Sequence, residues 1–201
     1  MKPLVLLLAL VLTSLPSCTS LQVDLPAIAP ATDQHFTGKI IWHDLVTEDP
    51  KAAREFYSGL FGWEFRQLEG MDYSLVLLDG KPIGGMVDAR NFTTEGNVSQ
   101  WVAVISVDDI DAAVDTLKAQ GGKVLGGPRD VGQRGRLALA QDPQGANVAL
   151  LQTRYGDPED REAGVGDFMW NELWTTDTAA ARAFYQAVFG YHKDEVSLTD
   201  G

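Results

Sequence analysis

The chain has one cysteine, three histidines and only 16 basic residues against 28 acidic ones in a length of 201. A single cysteine, Cys18, excludes an internal disulfide, so the fold must be held by its core. The excess of acid gives a formal net charge of −12. That argues against nucleic acid as a partner, because binding a phosphate backbone needs a basic patch. No Ser, His and Asp set stands in a recognisable hydrolase context, and there is no second cysteine to act as a nucleophile. Gly132-Gln133-Arg134-Gly135 lacks the strand-loop-helix setting of a phosphate loop. Long apolar runs are also missing after residue 12. What is present is a composition that is 45% hydrophobic and 9% aromatic, enough for a packed core.

The one apolar run, residues 4–12, follows a short positive start, Met1-Lys2-Pro3. It is shorter than the ~20 residues a spanning helix needs and fits the core of an export signal. Leu15-Pro16-Ser17-Cys18 then resembles a bacterial lipobox: an aliphatic residue three before the cysteine and a small one just before it. The resemblance implies cleavage before Cys18, lipidation of Cys18 and a membrane partner through that lipid anchor. The expected address is the cell envelope, on the periplasmic side or the cell surface. Residues 1–18 are thus expected to be the signal. Residues 19–37, with Pro26 and Pro30 and no regular period, read as a tether with a solvated His35 near its end.

A repeat organises the rest. Trp42, Asp44, Phe56-Tyr57 and Phe61-Gly62-Trp63 recur 128 residues later as Trp170, Glu172, Phe184-Tyr185 and Phe189-Gly190-Tyr191. Within residues 38–153 the pattern predicts strand 39–47, a helix opened by Asp49-Pro50 and closed by Gly62, and strands 63–68, 73–78 and 81–87. In that first helix Ala52, Ala53, Phe56, Tyr57 and Leu60 share one face at helical spacing. The order then repeats: strand 100–107, a helix over 110–120 after Asp108-Asp109, and strands 123–131, 136–141 and 147–153. The fold class is α+β: paired βαβββ modules forming a curled sheet around a cleft. Residues 154–165 read as a charged linker. Residues 166–201 read as the start of a second, incomplete domain, with a strand over 168–176, a helix over 179–189 and a further strand from 191. That helix would be drawn to any apolar surface on the first domain.

This order, with Phe-Tyr and Phe61-Gly62-Trp63 around the first helix, Val107-Asp108-Asp109 opening the second and Asp142-Pro143-Gln144-Gly145-Ala146 before the last strand, resembles the vicinal oxygen chelate superfamily. That group holds glyoxalase I, extradiol dioxygenases and bleomycin-resistance proteins. Trp42 and Gly84-Gly85-Met86 are similar to its branch with tandem domains.

The resemblance implies a divalent metal on four cleft positions in the metal-dependent members. Here those positions fall on Trp42, Val102, Ala149 and either Gly85 or Met86, none of which is a ligand. No cofactor is therefore expected. His43, one residue off, points to the opposite face by strand alternation and reads as a satisfied histidine. Asp44 shares the face of Trp42. Trp42, Asp44, Gly85, Val102 and Ala149 form the expected ligand site, against the alternative that Trp42 only fills the barrel mouth. Gly84-Gly85 suggests close backbone approach or a bulge. Arg134 and Arg136 flank Gly135 and are expected at a solvated edge, against the alternative that they reach an anionic ligand.

Three functions fit. The first is a lipid-anchored domain binding a small organic molecule in a metal-free cleft. The second is a metal-dependent enzyme of the glyoxalase or dioxygenase type. The third is a structural envelope lipoprotein. A homodimer is compatible with each.

Overall fold

The structure is a computed structural model and describes residues 23–91 and 99–194. The export signal, Cys18 and residues 195–198 of the strand expected from residue 191 lie outside the described residues, and residues 191–194 form no strand. β1 (Ile40–Thr47) leads into α1 (Pro50–Phe61). The Asp49 side chain caps that helix by accepting from the Ala52 amide, and Pro50 takes a first-turn position where no N–H is needed. Gly62, at φ 71°, ends it in the left-handed conformation. β2 (Glu64–Gln67), β3 (Tyr73–Leu78) and β4 (Lys81–Asp88) complete the first module. Asp79 and Gly80, both at positive φ (51° and 73°), make the tight hairpin between the last two.

The second module runs β5 (Gln100–Ser106), α2 (Ile110–Ala119), β6 (Lys123–Asp130), β7 (Gly135–Gln141) and β8 (Asn147–Thr153). Asp109 caps α2, and Asp142 Oδ1 accepts from the Gln144 and Ala146 amides to fix the last turn.

All eight strands form one sheet in the order β2-β3-β4-β1-β5-β8-β7-β6. β1 and β5 pair antiparallel at its centre, and each is flanked by the parallel last strand of its own module. A parallel neighbour requires a crossover, which α1 and α2 begin. Strand alternation then divides the apolar residues between two faces. Ile105, Leu150, Ala138 and Ala140 meet α2 on one side. Trp42, Tyr73, Leu75, Val102, Val104, Ala149 and Leu151 gather on the concave side.

Several expectations are corrected. Residues 23–36 are not a free tether. Leu25 and Ile28 are buried in the concave core, the Leu25 amide bonds the Val131 carbonyl at 2.9 Å, and the Arg134 amide returns to the Leu25 carbonyl at 3.0 Å. His35 is not simply solvated, since its Nε2–H donates to the Thr153 carbonyl at 2.9 Å. The start of the expected second linker is also tied down. Asp157 is fully buried, accepting from the Phe36 amide (2.7 Å) and the Thr153 hydroxyl (3.0 Å). The apolar stripe of α1 is split: Ala53 and Tyr57 pack toward the sheet, whereas Phe56 and Leu60 are exposed.

Residues 168–176 form no strand. A strand needs backbone partners, and none is provided for this stretch among the described residues. α3 (Thr178–Phe189) does form, capped by Asp177, and it buries Phe184, Tyr185, Val188 and Phe189 in the same core as α2. The attraction of its face to the first domain is realised there.

Candidate functional site

The concave face keeps an open cavity of about 310 Å³, near the lower end of the range for small-molecule sites. β1, β5 and β8 bring Asp44, Val102 and Ala149 to its wall. Half-buried Val46, Val87, Leu137 and Leu139 make it apolar, and residues 23–25 close one side. Asp44 pairs across the sheet with Gly85 on one side and Val102 on the other, so these three lie in one row at the centre.

Trp42 and Gly85 do not line the cavity, and Trp42 instead packs in the concave core with Tyr73, Val102 and Ala149. It is buried, and its indole Nε1–H is shared between Asp44 Oδ1 and the Tyr73 hydroxyl, each at 3.0 Å. Tyr73 in turn donates to Asp44 Oδ1 at 2.7 Å and accepts from Arg134 Nη1 at 2.9 Å. The Arg134 guanidinium lies 4.5 Å from the centre of the Trp42 ring and donates through Nε to the Pro26 carbonyl at 3.1 Å. A carboxylate, a phenol, an indole and a guanidinium are thus joined in one buried network. Burial first, then the negative charge of Asp44, pushes the Tyr73 phenol far above its usual range, with Arg134 opposing.

Gly85 is part of this arrangement through what it lacks. A Cβ there would stand 1.9 Å from the Tyr73 hydroxyl and 2.2 Å from Asp44 Oδ1. A Cβ on Gly84 would meet the His43 carbonyl at 2.8 Å. Close approach at both glycines is therefore real. Trp42, Gly85, Val102 and Ala149 provide no oxygen, thiolate or imidazole donor. Among the described residues, no three His, Cys, Asp or Glu side chains are grouped to hold an ion. The side chains at the four positions do not fit a divalent metal.

Two residues of the network were not foreseen as site residues. Arg134 is only 2% exposed, not at a solvated edge. Arg136, by contrast, does lie at the surface, paired with Asp111 at 2.7 Å. Tyr73 carried a usable signal, since it shares the strand face of Leu75 and Leu77. Arg134 carried none, because its acceptor Pro26 lies in a stretch whose composition reads as a tether.

His43 faces away from the cleft, as strand alternation requires. Its Nε2–H donates to Asn171 Oδ1 at 2.7 Å, and its ring stacks on Phe168 at 4.0 Å. Burial lowers its pKa, opposed by the Asn171 hydrogen bond and the charges of Asp44 and Asp167. A wider groove of about 880 Å³ opens on this side, walled partly by exposed Trp170 and Trp174. It lies between the sheet and the unpaired 168–175 stretch.

The sequence profile described as Glyoxalase/Bleomycin resistance protein/Dioxygenase superfamily matches residues 34–150. CFP32 of Mycobacterium bovis, provisionally named a glyoxylase, is 34% identical over 176 residues, covering 86% of this chain and 67% of that protein. The anthracycline biosynthesis protein DnrV of Streptomyces peucetius is 30% identical over 175 residues, covering 80% of this chain and 64% of that one. The chain thus spans about two thirds of the curated relatives it matches. Among solved structures, the Mn(II)-bound glyoxalase of Novosphingobium aromaticivorans has the same fold. It aligns with a TM-score of 0.54 at 15% identity, over 79% of this chain and 54% of that one. Profile, relatives and sheet order agree: the chain belongs to the glyoxalase/bleomycin resistance protein/dioxygenase superfamily, the vicinal oxygen chelate group.

Proposed function

We propose that this protein binds a small organic molecule in its concave cleft without a metal, and that acylation of Cys18 holds it at the cell envelope. One observation carries the binding reading. Asp44 stands at the wall of an apolar cavity with one oxygen, Oδ1, fixed by Tyr73 and Trp42. The other oxygen is free of those two donors and is the group that would accept from a ligand N–H, O–H or cation. Val46, Val87, Leu137 and Leu139 would cover the ligand's apolar body.

A purely structural role accounts for Oδ1, which accepts from Tyr73 and Trp42, but not for placing the carboxylate at the wall of an open apolar cavity. The name of the Streptomyces relative, which places it in anthracycline biosynthesis, accords with an organic ligand. The name given to CFP32 favours a second reading, a glyoxalase-type enzyme. In that case the metal would need ligands other than the side chains at positions 42, 85, 102 and 149.

A thermal-shift screen of organic compounds in the presence of a chelator tests the proposal. Compounds that stabilise the wild type should lose at least about tenfold in affinity for Asp44→Asn, the scale of one lost hydrogen bond to a charged group. Binding that appears only with added divalent metal, and is indifferent to Asp44→Asn, overturns it and restores the enzyme reading.

A further inference from the structure

We infer that the exposed face of α1 is a docking surface for one specific partner: a further βαβββ module of this same family, seated through the counterpart of α2. This inference stands apart from the cleft. It rests on contacts between the two copies of the repeat.

Tyr191 donates its hydroxyl to the Gly38 carbonyl at 2.7 Å, and Trp63 donates its indole N–H to the Gly166 carbonyl at 2.7 Å. Trp63 and Tyr191 are the same position in the two copies, as are Gly38 and Gly166. A Cβ on Gly38 would meet the Phe189 carbonyl, and one on Gly166 would come nearest to the Phe61 carbonyl, again exchanged positions. His43 and Asn171, 128 residues apart, bond each other and so each meets its own counterpart. Contacts of the form i to j and j to i, with a self-paired position between them, are the signature of a two-fold axis. The axis runs by His43 and Asn171 and exchanges the 38–63 stretch with the 166–191 stretch.

A two-fold operator has a consequence for the helices. α3 is the second copy of α1, and it packs on α2. Applied to that pair, the same rotation seats α1 on the second copy of α2.

Exposure fits this. Phe184, Val188 and Phe189 of α3 are 3%, 7% and 1% exposed, whereas Phe56, Leu60 and Phe61 of α1 are 59%, 58% and 42% exposed. The same apolar stripe is covered in one copy and bare in the other. No residue of α1 is buried. Exposed large hydrophobes in one contiguous patch mark an interaction surface. The partner face that fits is the one α2 presents within its core: Ile110, Ala113, Val114 and Leu117. A second copy of this chain cannot offer it, because its own α3 already occupies it. Trp170 and Leu173 are likewise exposed where their counterparts Trp42 and Leu45 are buried, which extends the bare surface toward the same partner.

The test uses single-thiol reporters in a Cys18→Ser background. In the 201-residue chain, Leu60→Cys should react with a maleimide at least about tenfold faster than Val188→Cys, whatever the protein concentration. Protection of Leu60→Cys that grows with concentration would mean that a second copy covers α1, and would overturn the inference. Residues 1–191 are then joined to residues 64–153. Because residue 191 is the counterpart of residue 63, this junction continues the repeat in register and adds a second copy of α2. In a fusion that melts cooperatively and keeps Val188→Cys protected, Leu60→Cys should slow to the Val188→Cys rate. Unchanged reactivity there sinks the inference. Should the fusion not fold, a peptide of residues 107–122 is titrated against Leu60→Cys in the 201-residue chain. Protection that is lost when the peptide carries Val114→Asp and Leu117→Asp supports the docking, and no protection at any soluble peptide concentration contradicts it.

Discussion

Gly85→Ala is the smallest change that should break the buried network. The added methyl would lie 1.9 Å from the Tyr73 hydroxyl, 2.3 Å from the ring carbon that bears it and 2.2 Å from Asp44 Oδ1. Each must retreat by more than about 1 Å to reach contact distance. Tyr73 has little room to do so, because its ring is buried beside the Arg134 guanidinium and its hydroxyl is held by Trp42 and Arg134. Overpacking costs about 1–3 kcal/mol, and loss of the hydrogen bond between Tyr73 and a carboxylate about 1.5–3 kcal/mol. Together they predict about 2.5–6 kcal/mol, or a fall in Tm of roughly 5–24 °C for a domain of this size.

Urea unfolding and calorimetry would measure this. Gly126→Ala is the control, since a Cβ there meets nothing within 4 Å, and it should stay within about 0.5 kcal/mol of wild type. The double variant Gly85→Ala/Tyr73→Phe should be less destabilised than the sum of its parts by about 0.5–3 kcal/mol, because the two changes remove the same contact. Should Gly85→Ala behave like Gly126→Ala, or add fully to Tyr73→Phe, the Tyr73 hydroxyl does not sit over Gly85 and the network is wrong.

Arg134→Met should lower stability by about 2–4 kcal/mol: two hydrogen bonds from a charged donor are lost, partly offset by no longer burying a charge. The urea midpoint reports it, and Arg136→Met, at an exposed pair, should leave that midpoint near wild type. Tyr73 and Tyr185 both have their phenol pKa raised, by burial first and then by Asp44 or Asp142. Their contribution to stability is full below the unfolded value of ~10 and is lost as pH rises beyond it, so stability should decline above that point. Phenolate absorbance should show these tyrosines ionising only on unfolding, and ordinary titration of all five would refute the burial. Cys18→Ser should abolish fatty-acid labelling and release the chain from membranes; unchanged membrane association would exclude the anchor.

Local chemistry made most of the fold legible. Asp49-Pro50, Asp109, Gly62 and Asp79-Gly80 act through their own backbone neighbours, so their spacing was enough to set the elements within a residue or two. Strand parity likewise put Asp44, Val102 and Ala149 on the concave face and His43 on the other. What escaped were features decided by distant partners. Leu25 and Ile28 sit among prolines without a helical or strand period, and only the groove beside Val131 makes them core. Arg134 looked solvated because the groups that hold it, Pro26 and Tyr73, are 108 and 61 residues away. Residues 168–176 have a strand's composition but no neighbouring strand to pair with among the described residues, and α1 has a helix's apolar stripe with half of it uncovered.

The proposed function rests on a metal-free cleft that binds through Asp44. Its most direct test is elemental analysis of the purified protein, exposed in turn to Zn, Ni, Mn and Fe and then dialysed, alongside calorimetric titration with the screened compounds before and after each exposure. Metal should be substoichiometric in every case, with organic-ligand affinity unchanged by the exposure and weakened by Asp44→Asn. One tightly held divalent ion per chain, with ligand binding that depends on it, would contradict the claim.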